Sequence, residues 1–132
     1  MSLKLYKDTQ GTELTGEDLP ETTHNGFTGG ADHFNFFIRN SNNEHSYTNI
    51  NVDINVTTTE FNYKLWLGSE FLSLAEWDEI TQNEYITIPS ISNSDSGTYY
   101  EIQCRLFCPA NRASAEAYTS GEIRISVTAN EA

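Results

Sequence analysis

Apolar and polar residues alternate along most of this chain, which is the pattern of half-buried β-strands. The clearest run covers residues 50–56, where aliphatic side chains alternate with Asn and Asp. Successive side chains of a strand point to opposite faces of a sheet. The run therefore predicts a strand with one buried face and one polar face in contact with water.

Shorter runs of the same kind predict six more strands. They are centred on residues 3–5, 34–38, 61–67, 85–88, 100–106 and 123–129. Polar turn clusters, Gly68 and Pro89 separate several of these runs. Residues 70–80 fit either a strand followed by a loop or one short helical turn. Residues 110–121 are expected to form a polar loop. Residues 11–30 are expected to form a long, acidic surface segment that is long enough to include one extra edge strand.

No segment shows a sustained helical period and no internal repeat is present. The pattern therefore predicts an all-β fold, either a sandwich or a barrel, and the open alternation favours a sandwich of about seven to eight antiparallel strands. A length of 132 residues suits one domain, so residues 1–132 are predicted to form a single domain. Two facing sheets are expected to contribute the core, which consists of Phe34, Phe36, Ile38, Ile50, Val52, Ile54, Phe61, Tyr63, Leu65, Ile102, Leu106, Ile123, Ile125 and Val127.

Charge and hydropathy narrow the possible partners. The chain has 19 acidic and 7 basic residues and a formal net charge of −12. Such a surface repels phosphate backbones, so we expect no nucleic-acid binding. No run approaches the ~18 apolar residues of a membrane span, so we expect no membrane insertion. The first residues, Met1-Ser2-Leu3, lack the features of a secretory signal, and no export address is expected from them.

The two cysteines, Cys104 and Cys108, are expected to be buried free thiols. They lie four residues apart in one predicted strand, which separates their Cα atoms by roughly 13 Å. A disulfide requires about 4.4–6.8 Å between Cα atoms. Two cysteines without a CxxC spacing also fall short of a zinc site.

No motif of a known catalytic or phosphate-binding site occurs in the sequence, so we expect no enzyme activity and no catalytic or cofactor-binding residues. His24, His33 and His45 fall in or beside predicted loops of the N-terminal third, and no motif connects them with a nucleophile. No cofactor is predicted.

Two further groups of residues have both a structural and a functional interpretation. The carboxylates at positions 76, 78, 79 and 84 could be imagined as calcium ligands, but their spacing matches no calcium loop, so a solvated acidic face and no metal site are predicted. Trp66 and Trp77 are interpreted as sheet-packing residues. Trp66 is out of phase with Leu65 and Leu67, so it is either covered by a neighbouring element or exposed, and an exposed Trp would be a candidate contact hot spot.

The segment from Asp95 to Tyr100 resembles the D-x-G-x-Y approach to strand F of immunoglobulin-like domains, in which a tyrosine hydroxyl bonds to upstream backbone. The resemblance implies an immunoglobulin-like sandwich. The cysteine that antibody domains carry two residues after this tyrosine is absent, because Glu101 stands at that position. The antibody type is therefore excluded.

A second set of short segments is similar to immunoglobulin-like domains of bacteriophage virion proteins. The segments are His24-Asn-Gly26, Gly29-Gly30, Phe36-Phe-Ile-Arg-Asn40, Tyr47-Thr-Asn-Ile50, Trp77 and Cys108-Pro-Ala110. Such domains occur in tails, fibres or decorating layers. The resemblance implies a non-catalytic structural or adhesive domain of a phage or prophage virion whose partners are virion subunits or further copies of itself.

The alternative is a bacterial cell-surface or extracellular module that binds carbohydrate or protein. If the domain acts by self-association or by docking into a larger assembly, edge strands and the acidic segment 11–30 are expected to carry the contacts, because unpaired strand edges must be covered, charged or used. The charge of −12 opposes self-packing, so any contact between copies should strengthen with added salt.

Overall fold

The computed structural model describes residues 2–14, 23–25, 30–56, 62–68, 73, 76–77, 85–108, 117–119 and 123–132. Nine β-strands occur within these residues, and a 3-10 turn, Asn93–Asp95, precedes the seventh. The strands are β1 (Leu3–Tyr6), β2 (Thr23–Asn25), β3 (Gly30–Asn40), β4 (Tyr47–Val56), β5 (Asn62–Leu67), β6 (Tyr85–Ile88), β7 (Tyr100–Cys108), β8 (Ala117–Thr119) and β9 (Ile123–Glu131).

The strands form two main antiparallel sheets. One has four strands in the order β1-β3-β7-β5, and the other has three in the order β6-β4-β9. The short strands β2 and β8 pair with each other. The register between β4 and β9 shifts between Thr48 and Asn51, and Asn49 lies there in the left-handed region with φ of +50°. Asn tolerates this conformation better than most residues, as a bulge requires.

The predicted all-β class with antiparallel sheets is confirmed, but the immunoglobulin-like strand order is not. The immunoglobulin constant type places strands A, B, E and D in one sheet and C, F and G in the other. When the seven strands A to G are numbered in chain order, strand B, the second, pairs with strand E, the fifth. Here β3, the second of these strands, pairs with β7, the sixth, and β4 pairs with both β6 and β9. From β3 to β7, each described strand lies in the sheet opposite to the one before it.

The two sheets share one apolar core, as the alternation predicts. Eight members of the predicted core are buried, namely Phe36, Ile38, Ile50, Val52, Ile54, Leu65, Ile102 and Leu106. Phe34, Ile125 and Val127 are partly buried and pack against them. Phe61 and the side chains of Tyr63 and Ile123 lie outside the described part of the chain. The prediction omitted Leu3, Leu5, Tyr47, Ile88 and Ile91, which are also buried in this core.

Asn40 is a polar residue buried completely at the end of the core. Its Nδ2 donates to the backbone oxygen of His45 at 2.8 Å, and its Oδ1 accepts from the backbone N of Asn42 at 3.3 Å. Its own backbone oxygen accepts from the backbone N of Gly97 at 2.9 Å. Buried polar groups need such partners. Asn40 therefore fixes the connection between β3 and β4 as well as the turn before β7.

Tyr47 connects the first strand to the last through its buried side chain. Its hydroxyl donates to Oε1 of Glu131 at 2.6 Å and accepts from the backbone N of Ser2 at 2.8 Å. The backbone of Tyr47 also exchanges two hydrogen bonds with Ile91, at 2.9 and 3.0 Å. The side chain of Tyr47 thus connects the residue before β1 with the last residue of β9.

Two local expectations differ from the structure, and a third agrees with it. The stretch 110–121, predicted as loop, contains β8, because residues 117–119 find pairing partners in β2. The excursion 11–30 contains β2, the extra strand for which it had room. His33 lies inside β3 and His24 inside β2, rather than in loops. The reason is backbone pairing: β3 pairs with β7 beyond the end of its apolar alternation, and β2 pairs with β8.

Replacing Ile54 with Ala should lower the free energy of unfolding by about 2–5 kcal/mol, because the residue is fully inside the core and truncation leaves a cavity. Chemical denaturation monitored by circular dichroism measures the change. Thr128→Ala, on the exposed side of β9, is the control and should stay within about 0.5 kcal/mol of the wild type. An unchanged midpoint for Ile54→Ala would show that the inward face of β4 is assigned wrongly.

The contact between Tyr47 and Glu131 should make stability depend on pH. The hydrogen bond from Tyr47 holds the pKa of Glu131 below its ordinary value of 4.5. A carboxyl whose pKa is lowered by folding contributes stability above its unfolded pKa and loses that contribution as the pH falls through its folded pKa. We expect Glu131→Gln to melt at a lower temperature than the wild type at pH 7, and the difference to shrink at about pH 3.

Differential scanning calorimetry measures this difference, and Glu44→Gln, an exposed carboxylate in the loop after β3, is the matched control. A difference between wild type and Glu131→Gln that is the same at both pH values would contradict the assignment.

Candidate binding cleft

The outward face of the four-stranded sheet carries an unusual group of side chains. Alternation places Lys4, Arg39, Lys64 and Arg105 on it, which are four of the seven basic residues of an acidic chain. Phe37 and Trp66 also point outward, because their neighbours along β3 and β5 enter the core. This face therefore differs in both charge and aromatic content from the average surface.

One half of this face is covered by a single helical turn that follows β5. The turn begins at Ser73, whose Oγ accepts from the backbone N of Glu76 at 3.2 Å, while Oε1 of Glu76 accepts from the backbone N of Ser73 at 3.1 Å. This reciprocal pair is a capping box. The backbone N of Trp77 donates to the oxygen of Ser73 at 3.0 Å. Of the two alternatives for residues 70–80, the structure thus contains the helical turn.

Trp77 joins this turn to the sheet, as its predicted packing role requires. The residue is only 2% exposed. Its ring lies 5.8 Å from the ring of His33 on β3, and its backbone oxygen accepts from Nζ of Lys64 on β5 at 2.9 Å. Partial burial and the nearby charge of Arg105 lower the pKa of His33. Trp77 therefore connects the turn with both β3 and β5.

The other half of the face is open and is organised by the Arg39 cluster, which consists of Tyr6, Phe37, Arg39 and Tyr99. The guanidinium carbon of Arg39 lies 4.9 Å from the ring centre of Tyr99 and 5.7 Å from that of Tyr6. Nη1 of Arg39 donates to the hydroxyl of Tyr99 at 2.8 Å. The Tyr99 ring meets the rings of Tyr6 and Phe37 edge to face, at 5.5 and 6.2 Å. Cation–π and edge-to-face contacts together fix these four side chains.

The turn before β7 places Tyr99 in this cluster. The backbone N of Thr98 donates to the oxygen of Asp95 at 3.2 Å, and Gly97 has φ of +90°, in the left-handed region that glycine adopts readily. The tyrosine hydroxyl bonds to the Arg39 side chain, whereas the resemblance to immunoglobulin-like domains implies a bond to upstream backbone. The reason is that Tyr99 lies on the outward face beside β3.

A cleft of about 340 Å³ opens next to the cluster, where β5 ends and β7 begins, close to the end of β3. We call it the sheet-end cleft, and its lining consists of Phe37, Leu67, Gly68, Tyr99, Tyr100 and Glu101. Its volume is at the lower end of the ~300–1,000 Å³ of small-ligand sites. Every lining residue is partly exposed, so the cleft is accessible from solvent.

Gly68 shapes the floor of the cleft. Its backbone N donates to the oxygen of Glu101 at 3.0 Å, and its oxygen accepts from Nε2 of Gln103 at 2.9 Å. A Cβ on Gly68 would lie 2.3 Å from Cη2 of Trp66, so the indole packs directly over the glycine. Trp66 is therefore half-buried against its own strand, and it does not project freely as a contact hot spot.

The residues considered in the sequence for chemistry do not come together in the described part of the chain. Glu76 caps the helical turn, while Asp78, Glu79 and Glu84 lie outside the described residues. His45 contacts the C-terminus, with Nδ1 3.3 Å from the backbone oxygen of Ala132. Within the described ranges, no group of three or more His, Cys, Asp or Glu side chains is arranged to hold a metal ion.

Cys104 is a buried free thiol, as predicted. Burial raises its pKa to about 12, so it remains protonated and is a poor nucleophile at neutral pH. The side chain of Cys108 lies outside the described residues. Among the described residues, no helix is long and apolar enough to cross a membrane.

Comparison of the sequence and structure with known protein-family models, curated proteins and solved structures found no match. The cleft must therefore be interpreted from its own chemistry.

Sequence reasoning missed the cleft and most of its residues. Phe37 gave the one available signal, because an aromatic residue between the inward-facing Phe36 and Ile38 must point outward. The association of Phe37 with Tyr99 and Glu101 depends on the pairing of β3 with β7, which brings together residues more than 60 positions apart. No local pattern encodes that pairing.

Replacing Gly68 with Ala should force the Trp66 indole away from the floor of the cleft and lower stability by about 1–3 kcal/mol, as overpacking does. Tryptophan emission and the denaturation midpoint should both change. Gly97→Ala is the matched control, because Gly97 also has positive φ but its Cβ would meet no atom within 4 Å. Unchanged emission for Gly68→Ala would contradict the contact with Trp66.

Proposed function

We propose that this chain is a non-catalytic interaction domain, a structural or adhesive component of a phage or prophage virion. The sheet-end cleft is the observation that carries the interaction role. Three aromatic side chains, Phe37, Tyr99 and Tyr100, remain partly exposed there at the end of a hydrogen-bonded sheet. Aromatic residues held rigidly at a surface are favoured contact residues, because they bury a large area at little cost in side-chain entropy.

The virion assignment rests on the resemblance of short segments to immunoglobulin-like domains of phage particles. The immunoglobulin-like family remains a prediction, and the alternation of strands between the sheets is also compatible with a jelly roll. Jelly rolls occur in viral capsid and lectin domains, so this alternative equally permits a structural or an adhesive role. Fold alone does not select between them.

A second candidate is an extracellular or cell-surface module that binds carbohydrate or protein. One specific observation favours it. Glu101 lines the cleft opposite Phe37 in the pairing of β3 with β7, and its acidic side chain is a strong hydrogen-bond acceptor on a mainly apolar surface. A few placed polar groups in a mainly apolar cleft are typical of a site that orients a ligand.

The virion proposal is tested by assembly. If copies of the chain pack together, their net charge of −12 must be screened, so association should increase between about 50 and 500 mM NaCl. Sedimentation velocity measures this, and co-sedimentation with purified phage particles measures docking to other virion subunits. Phe37→Ala should weaken association or docking, because it removes a ring from the exposed cleft.

Lys7→Ala, an exposed position outside the cleft, is the control and should behave as the wild type does. A chain that stays monomeric at every salt concentration and does not sediment with particles would contradict the virion role and leave the second candidate as the better account.

A further inference from the structure

Electrostatic balance at the sheet-end cleft limits what the cleft can bind. Glu101 lines it, and Arg39 lies beside it in contact with Tyr99. On the neighbouring strand, Lys4 and Glu13 neutralise each other through a salt bridge of 3.1 Å. The charged side chains at the cleft are thus one acid and one base, in a chain whose net charge is −12.

Charged ligands are disfavoured by this arrangement. An anion would approach the Glu101 carboxylate within a strongly acidic protein. An organic cation would normally bind over an aromatic face, but the Arg39 guanidinium already lies over the Tyr99 ring at 4.9 Å and would repel it. A neutral ligand meets neither penalty.

The polar atoms of the cleft suit a ligand that both donates and accepts hydrogen bonds. A carboxylate accepts hydrogen bonds and donates none, so Glu101 requires donors from the ligand. The Tyr99 hydroxyl accepts from Arg39, which leaves its own proton free to be donated. The polar atoms of the Gly68 backbone are already paired with Glu101 and Gln103.

The aromatic walls suit a ligand with one apolar face. Phe37 and Tyr99 meet nearly at right angles, with an interplanar angle of 87°, so they form a corner in which one ring presents its face and the other its edge. A pyranose ring has C–H groups that pack on such a face and hydroxyl groups around its rim. It is neutral, and each hydroxyl both donates and accepts.

We propose that the sheet-end cleft binds a neutral pyranose sugar, with the ring packed against Phe37 and Tyr99 and a sugar hydroxyl donating to Glu101. The inference rests on the interaction role proposed above and names the ligand of that same site. An adhesive domain that binds glycans would use an open cleft of this kind at the end of a sheet, where a longer saccharide chain can extend into solvent.

Titration of the ¹⁵N-labelled full chain tests the proposal. The probes are the methyl glycosides of glucose, galactose, mannose, N-acetylglucosamine and N-acetylgalactosamine, each added separately, with acetate and tetramethylammonium chloride as charged probes. At least one sugar should shift the backbone amide signals of Gly68, Tyr99, Tyr100 and Glu101 saturably, while neither charged probe does so.

Two conservative variants and their matched controls assign the contacts. Glu101→Gln removes the charge but not the shape, and should raise the Kd of that sugar by about fivefold or more. Glu44→Gln, the same change at an exposed position in the loop after β3, should leave the Kd unchanged. Tyr99→Phe should weaken binding through loss of the hydroxyl, whereas Tyr118→Phe, in β8 and outside the lining, should not.

Dispersed amide spectra confirm that each variant is folded. The proposal is overturned by the absence of a saturable response to any of the five sugars, by a response to a charged probe at the same amides, or by sugar binding that Glu101→Gln does not weaken. Phe37-dependent sedimentation with phage particles in the absence of sugar binding would overturn this inference alone. Sugar binding without assembly would instead refute the virion role.

Discussion

Each of the two main sheets buries one apolar face against the other, and this shared burial is the constraint on which the remaining features depend. Because strand side chains alternate strictly, filling the inner face with residues such as Phe36, Ile54 and Ile102 commits every second residue to the outside. The outward residues do not pack in the core, so their identity is not constrained by it. A register slip of one residue would expose the core and bury the charged face, so the pairing of β3 with β7 is strongly specified.

Two buried polar residues close the end of this sandwich. Asn40 satisfies the backbone of the turns around it, and Tyr47 connects Ser2 with Glu131. Hydrogen bonds in the interior contribute modestly to stability, but leaving such groups unpaired is costly. These residues therefore specify one arrangement of turns and termini, and the turn that carries Gly97 and Tyr99 is positioned through the backbone of Asn40.

The outward face of the four-stranded sheet is used in two different ways. One half is covered by the turn that carries Trp77, whose ring lies near His33 and whose backbone oxygen accepts a hydrogen bond from Lys64. In the other half, Arg39 lies against Tyr6 and Tyr99, and the rings line an accessible cleft. Nε of Arg39 is buried and has no hydrogen-bond partner among the described residues, so stacking and the bond to Tyr99 hold the side chain. The cluster fixes the cleft before any ligand arrives, which lowers the entropic cost of binding.

Most of the strands and their inward faces could be predicted from the amino-acid sequence alone. Alternation with a period of two is a local property. The sequences of residues 50–56 and 100–106 therefore predict both an extended conformation and the face of the strand that is buried. The same local rule identified Gly68 and Pro89 as strand ends and placed Cys104 in the core. Local signals were weaker where pairing, rather than alternation, made the strand, which is why β8 was missed.

The order of the strands, the covered half of the sheet and the position of the cleft follow from tertiary pairing and not from any local pattern. Strand order depends on the free energies of alternative pairings across the whole chain, and no short stretch of sequence contains that comparison. The contact of Arg39 with Tyr99 spans 60 residues and exists only because β3 and β7 are neighbours. The physical reason for the division is that side-chain period is encoded residue by residue, whereas the composition of a surface site is set by which distant segments fold beside one another.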